Sequence, residues 1–297
     1  SNDEFSLAMS ELENQKKMTK HLSEKQINSY NRNGFVGPVK IFSNLEVVSE
    51  RRKFEVYEEN NEGWYELSKG QKLYLLQTWV ASLVSNAKIL DAVEDILGED
   101  IMCWGTSLFV KEPGAKAYVS WHQDSTYWGL SSLNVVTAWI ALSPASIEAG
   151  CMKFLPGSHR WDQSPHHDTL NPDNLLTRGQ EILRDIAEED AVLLPLKPGE
   201  MSLHNIRTIH SSGPNKSSDR RIGIAIRYLT PQVRQLNAEG DSAWLVRGSD
   251  RFGYFHHESP PAKDMDPAAL KQHARIMELR QGVLYRNDKD KLLRHKN

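Results

Sequence analysis

Only two cysteines occur in the 297 residues, Cys103 and Cys151. That is too few for a disulfide framework, and neither stands in a zinc-binding spacing, so a reducing cytosol is the expected setting. No window of 18 apolar residues exists, and the N-terminus lacks a basic stretch followed by an apolar run. Neither a membrane span nor a secretory leader is expected. Net charge is only −3, and no basic run longer than three residues precedes the C-terminal KDKLLRHKN. The general electrostatic reason for binding nucleic acid is therefore missing. Internal repeats and low-complexity linkers are absent too. What is present, 39% hydrophobic residues, 25% charged residues and eight Trp, is ordinary globular composition with ample material for a core.

Residues 1–20 are polar and without clear period, which predicts a loose arm before a single domain over 21–297. The text SEKQ forms a capping box, with Ser23 as N-cap and Gln26 three residues on, opening a short helix that Gly34 stops. A second helical region is expected from about Ser68, through Leu73, Leu75, Leu76, Trp79 and Leu83, with a break near Asn86 and a resumption through Ile89, Leu90 and Val93 to Gly98. From residue 100 the pattern changes to seven or eight short β runs, separated by turns such as EPGAK, PGSH, KPGE and SSGPN. One helical insertion is expected near Leu175–Ala187, and a last helix after Asp266 and Pro267. The fold class this predicts is mainly β with flanking helices, a double-stranded β-helix or cupin-like jelly roll whose core lies between residues 100 and 230.

Within SWHQDSTYWGL, His122 and Asp124 stand two positions apart among aromatic and β-branched neighbours. On a strand, residues i and i+2 share a face, so the two would aim together and Gln123 away. That geometry suits two ligands of one ion, and it equally suits a hydrogen-bonded pair on a half-solvated strand. In a jelly roll a third ligand should come from well downstream. MSLHNIRTIHSSGPN offers His204 and His210, of which His210, at a strand end before a turn, is better placed. On one continuous strand His204, Ile206, Thr208 and His210 would share a face. Two His and one carboxylate leave open positions of the kind non-haem Fe(II) needs to bind an organic chelate and O2. A hydrolytic zinc or manganese site is possible on the same ligands, whereas a closed structural zinc would need a fourth.

In RRIGIAIRYL, Arg221, Gly223, Ala225 and Arg227 share one face of a strand and Ile222, Ile224, Ile226 and Tyr228 the other. A buried guanidinium must be paired. A bound dicarboxylate would pair one arginine bidentately, with Gly223 and Ala225 leaving room for it; ordinary salt bridges are the competing account.

WHQD at 121–124, TAWIAL at 137–142, EAGCMKFLPGSHR at 148–160 and HSSGPNKSSDRR at 210–221, with the RYL that follows, together resemble the phytanoyl-CoA dioxygenase family of Fe(II)- and 2-oxoglutarate-dependent oxygenases. The resemblance covers roughly residues 20–235. Carried over by position, it implies His122, Asp124 and His210 as iron ligands, Arg221 and Ser212 on the distal carboxylate of 2-oxoglutarate, and Trp139 lining the cosubstrate pocket. Thr106 or Ser107 would lie on the C1 side. Trp128, Tyr127 and Asn134 border the second ligand and are candidate substrate contacts, with His204, Arg207 and Arg227 as cationic ones. SPHHD, with His166 and His167, reads as a solvated loop.

Halogenating relatives replace the carboxylate with a small residue. Its retention at Asp124 implies a hydroxylase that uses Fe(II), 2-oxoglutarate and O2 on a small polar or charged metabolite, such as an amino acid or an aminophosphonate-like compound. The competing readings are a cupin-like metal hydrolase or isomerase without 2-oxoglutarate, and a jelly-roll binding module.

Overall fold

The structure, a computed structural model, describes residues 18–62, 72–176 and 178–294, of which 281–294 as helical backbone only. Most of the expected N-terminal arm, and the expected start of the second helical region near Ser68, lie outside the described residues.

Helix α1 (Glu24–Asn33) begins at the Ser23 capping box and ends at Gly34, whose φ of 82° is left-handed. A second capping box, Ser43 with Glu46, opens helix α2 (Asn44–Asn60) after strand β1 (Phe35–Lys40); the sequence reading did not include this helix. The apolar stretch beyond residue 72 divides into a single 3-10 turn, α3 (Thr78–Val84) and α4 (Ala87–Leu97), the last capped by the Asn86 side chain. The break expected at Asn86 is thus an N-cap.

The strands follow: β2 (Ile101–Lys111), β3 (Val119–His122), then a helical turn α5 (Ser125–Trp128), β4 (Val135–Ala141), β5 (Met152–Phe154), β6 (His166–Asp168), β7 (Gln180–Ile182), β8 (Val192–Leu194), β9 (Glu200–Asn205), β10 (His210–Ser212), β11 (Arg221–Leu229), β12 (Ser242–Arg247) and β13 (His256–His257). Helix α6 (Pro267–Arg294) closes the described chain. The larger sheet has seven strands in the order β1-β9-β4-β11-β2-β12-β13, and the smaller has four in the order β3-β10-β5-β8. The two form a jelly roll. The larger sheet recruits β1, β12 and β13 from outside residues 100–230, so the core is wider than that range. Among the described residues of 175–187 no helix forms: β7 lies there, paired with β6, and Gly179 before it takes a left-handed φ of 56° that interrupts any helix.

The alternation in β11 sets the layers. Ile222, Ile224, Ile226 and Tyr228 join Val136, Ala138, Ile140, Trp79, Val80, Ile89 and Val93 in the main core under the helices. On the opposite face Trp139 and Ala225 meet Phe35, Phe154 and Leu194 between the sheets. The cavity opens on that second face. Among the described residues no helix is long and apolar enough to cross a membrane.

Candidate active site

His122 is the last residue of β3 and His210 the first of β10, and the two pair across the smaller sheet. Asp124 is not on the strand. Its φ of −61° and ψ of −33° place it in a right-handed turn that opens α5. The expectation that strand alternation aims His122 and Asp124 together is therefore corrected: the strand ends between them, and the turn swings the carboxylate back. Likewise His204 and His210 are not on one continuous strand. His204 ends β9 in the larger sheet, the chain crosses over, and His210 starts β10 in the smaller one. Even so, one ligand atom each from His122, Asp124 and His210 lies within 4.8 Å of the others, a set that could hold a metal ion.

Proton positions follow from the carbonyls nearby. Nδ1 of His122 lies 2.8 Å from Ser120 O, and Nδ1 of His210 lies 2.8 Å from Thr208 O. Each ring donates Nδ1–H to a carbonyl and turns the Nε2 lone pair toward Asp124. Nε2 of His122 is 3.1 Å, and that of His210 3.8 Å, from the same oxygen, Asp124 Oδ1. Three lone pairs converging in a buried place repel one another unless a cation sits among them, so the donor set fits a metal. Burial, and then His122, push the His210 imidazole well below its usual pKa, toward the neutral form a ligand needs. Although burial opposes its charge, Asp124 is held well below the usual carboxylate range by His210, His122 and His204.

His204 differs from the other two. Its Nε2 lies 3.3 Å from Asp124 Oδ2, while its buried Nδ1 has no hydrogen-bond partner. With no carbonyl to take an Nδ1 proton, the proton belongs on Nε2, which donates to the outer oxygen of Asp124. Gln123 faces away from the metal set, held there by its own hydrogen bonds and not by strand alternation, since β3 ends at His122. Its side chain donates to Arg207 O (3.1 Å) and accepts from Ser164 N–H (3.0 Å), and its own N–H donates to His166 Nε2 (2.9 Å). It thereby ties the Asp124 turn to the link leading into His210. His166 is buried in this contact and on β6, not in a solvated loop, and burial lowers its pKa to about 4.

At one end of the cavity Arg221 is fully buried, its Nη1 donating to Gly150 O (2.7 Å), its Nε without a partner, its guanidinium 5.1 Å from the Trp139 ring. Directly across the ladder from it stands Lys111, a residue the sequence reading missed. Nζ of Lys111 donates to Ser212 Oγ (2.7 Å) and Gly213 O (2.5 Å) and lies 3.4 Å from the same Gly150 O. Burial, and next Arg221, push its pKa down to about 5. The one sequence signal for it was position: a lysine at the strand end that faces Arg221. Gly150, at φ +75°, lets its turn approach this close, since a Cβ there would sit 2.3 Å from Gly213 O. Gly223 does not leave room for a ligand as expected; the Trp139 ring fills that space, 1.9 Å from where a Cβ would be.

The other end holds Arg227, which donates to Ser107 Oγ (2.6 Å) and lies 5.3 Å from the Trp128 ring. Four expected contacts fall elsewhere. Thr106 faces the helical layer, accepting from Leu73 N–H (3.2 Å). Tyr127 turns its hydroxyl to Asp168 and stacks under Arg178, Asn134 is exposed at the start of β4, and Arg207 extends toward Trp161 O. Only Thr106 is on a strand, on its other face; Tyr127 follows the α5 turn, and Asn134 and Arg207 lie just outside β4 and β9.

A family model described as phytanoyl-CoA dioxygenase (PhyH) matches residues 30–223. The chain belongs to the phytanoyl-CoA dioxygenase family. Among its relatives is a probable alpha-ketoglutarate-dependent hypophosphite dioxygenase of Stutzerimonas stutzeri, 29% identical over 210 residues, covering 70% of this chain and 69% of the relative. The peroxisomal phytanoyl-CoA dioxygenase of Homo sapiens is 29% identical over 160 residues, 52% of this chain and 47% of that one, so the match spans about half of the peroxisomal enzyme. Among solved structures, the non-heme monooxygenase ThoJ in its apo form superposes with a TM-score of 0.80 at 32% identity, over 89% of this chain and 99% of that one. CytC3 with Fe(II) and alpha-ketoglutarate shares the fold, with a TM-score of 0.58 at 23% identity over 80% of this chain and 93% of that one.

Proposed function

We propose that this member of the phytanoyl-CoA dioxygenase family is an Fe(II)- and 2-oxoglutarate-dependent hydroxylase of a small polar or charged metabolite. One observation carries the reading: a single cavity is lined by the convergent His122, Asp124 and His210 and by the buried Arg221, beside which Lys111 also lacks a carboxylate partner among the described residues. His122, Asp124 and His210 would hold the iron. Arg221 and Lys111, with Ser212 between Lys111 and the cavity, would hold the distal carboxylate of 2-oxoglutarate, and Trp139 would wall it. Iron bound there and chelated by 2-oxoglutarate supplies oxidising chemistry in which O2 is consumed, succinate and CO2 are released and a C–H bond is hydroxylated. Trp139, Phe109, Val119 and Met152 line the cavity with apolar surface that keeps bulk water from the reacting groups. His204 fixes the outer oxygen of Asp124, leaving the inner one to the metal. Retention of Asp124 supports hydroxylation over halogenation, and the buried Arg221, with no carboxylate partner among the described residues, supports 2-oxoglutarate use over a cupin-like hydrolase or a binding module. Anaerobic addition of Fe(II) and 2-oxoglutarate is expected to give a weak visible charge-transfer band, and small acids to stimulate succinate formation in air. A protein that binds the metal and gives no band with 2-oxoglutarate would have to be read as a hydrolase or binder.

Lys111 gives this binding a pH dependence. As a base with a depressed pKa near 5, it is neutral at pH 7 in the free site, and an arriving dianion raises its pKa again. Binding therefore takes up a proton, and 2-oxoglutarate affinity is expected to fall as pH rises from about 6 to about 8. Calorimetry in buffers of different ionisation enthalpy should detect that uptake in the wild type and none in Lys111→Met. Equal uptake in both proteins would remove Lys111 from the contact.

A further inference from the structure

One row of residues across the larger sheet is left unexplained by the metal set and the Arg221 end. His204 on β9 pairs with Thr137 on β4, and Thr137 pairs with Arg227 on β11. The three side chains thus stand side by side on the cavity face, and all three line the cavity that holds His122, Asp124 and His210. Each is more than nine-tenths buried, at 2%, 2% and 8% exposure. Each also carries a polar atom with no hydrogen-bond partner: His204 Nδ1, Thr137 Oγ1 and Arg227 Nε. Buried polar atoms are almost always satisfied, and three adjacent exceptions in one cavity point to a ligand that satisfies them.

The chemistry of the row defines that ligand. Arg227 is held in place by Ser107 Oγ and by the Trp128 ring, and no carboxylate lies within ion-pair distance of it among the described residues. A buried guanidinium so placed calls for an anion with two adjacent oxygens. Thr137 supplies a hydroxyl that both donates and accepts, and the Nδ1 of His204, whose proton is on Nε2, accepts. Arg227 lies six residues from Arg221, roughly 20 Å along the strand. A five-carbon diacid held at Arg221 has four C–C bonds of about 1.5 Å, and so spans at most about 6 Å. The cosubstrate at one end leaves the anion requirement at the other unmet.

We propose that His204, Thr137 and Arg227 form the seat of the prime substrate, and that this substrate is a compact oxyanion, a carboxylate or phosphonate-class group on Arg227, with a hydrogen-bond donor turned toward His204. The inference rests on the reading of the Arg221 end as the cosubstrate's, and the member of the row to which the sequence reading assigned no role is Thr137, the first residue of TAWIAL.

The test is anaerobic calorimetry of the Fe(II)- and 2-oxoglutarate-loaded protein with acetate and methylphosphonate, and with acetamide as the neutral control. The two anions are expected to bind and acetamide to bind about tenfold more weakly or not at all. Arg227→Met, which keeps a long side chain on Trp128, is expected to lose about tenfold or more in anion affinity, and the isosteric Thr137→Val several-fold, with 2-oxoglutarate affinity unchanged. Arg221→Met is expected to do the reverse. Three results would overturn the proposal: neither anion binds the wild type, acetamide binds as well as acetate, or Arg227→Met weakens 2-oxoglutarate as Arg221→Met does while anion binding persists. Thermal shift of the metal-free protein with methylphosphonate separates the two readings. If the wild type takes up no 2-oxoglutarate yet is stabilised by methylphosphonate through Arg227, the cosubstrate reading fails and the anion seat stands.

Discussion

His210→Ala is expected to abolish stoichiometric Fe(II) binding while the protein stays folded. His122→Ala should behave alike, because each removes one of three converging donors and leaves no carbonyl-oriented lone pair to replace it. Loss of a ligand should exceed the roughly 10- to 100-fold cost typical of an outer partner. His204→Ala provides the internal scale: its ring only steadies Asp124 Oδ2 at 3.3 Å, so its effect on iron affinity should stay within about 10- to 100-fold. Anaerobic Fe(II) titration, with the melting temperature as a check on folding, measures all three. Full affinity in His210→Ala together with lost affinity in His204→Ala would move the third ligand to β9.

Arg221→Ala is expected to raise the 2-oxoglutarate requirement sharply with little change in iron binding. A desolvated guanidinium–carboxylate contact is worth roughly 2 to 5 kcal/mol when one partner is truncated, about 30-fold to several thousand-fold in affinity. Two features of the site favour the upper part of that span. Arg221 is fully buried, and its Nε has no other partner, so water does not compensate for the loss. Arg221→Lys should rescue only partly, since an ammonium cannot make the planar two-point contact and would stand beside Lys111, which already shares Gly150 O. Titration of 2-oxoglutarate into iron-loaded variants decides it; weakened binding in Arg227→Ala with Arg221→Ala unaffected would exchange the two arginines.

Some of this was legible in the residues taken one after another. The alternation Ile222, Ile224, Ile226, Tyr228 against Arg221, Gly223, Ala225, Arg227 is a property of a period of two, and β11 keeps it because one face must enter the apolar core and the other must not. The capping box at Ser23 and the cap at Asn86 are equally local, set by side chains that bond backbone within three residues. The four motifs carried the family, and with it the identity of His122, Asp124, His210 and Arg221 as the residues to watch.

Local rules failed where the chain leaves a regular element. Asp124 reaches His210 through a turn, which no period predicts, and that turn is held by Gln123, Ser164 and His166 from a segment about forty residues on. His204 and His210 meet only because the chain crosses from one sheet to the other between them. Thr106, Tyr127, Asn134 and Arg207 were near the site in sequence yet face elsewhere: Thr106 takes the helical face of β2, Tyr127 sits on the α5 turn, and Asn134 and Arg207 lie outside β4 and β9. Lys111 stands in none of the four motifs, and Thr137 opens TAWIAL without a role of its own there; each matters because antiparallel register sets it opposite an arginine, Lys111 across from Arg221 and Thr137 across from Arg227. Sequence determined which side chains carry the chemistry and which face of each strand they occupy. Register between strands distant in the chain decided which of them stand together, because that pairing depends on how two sheets bury their common face and not on any neighbour in the chain.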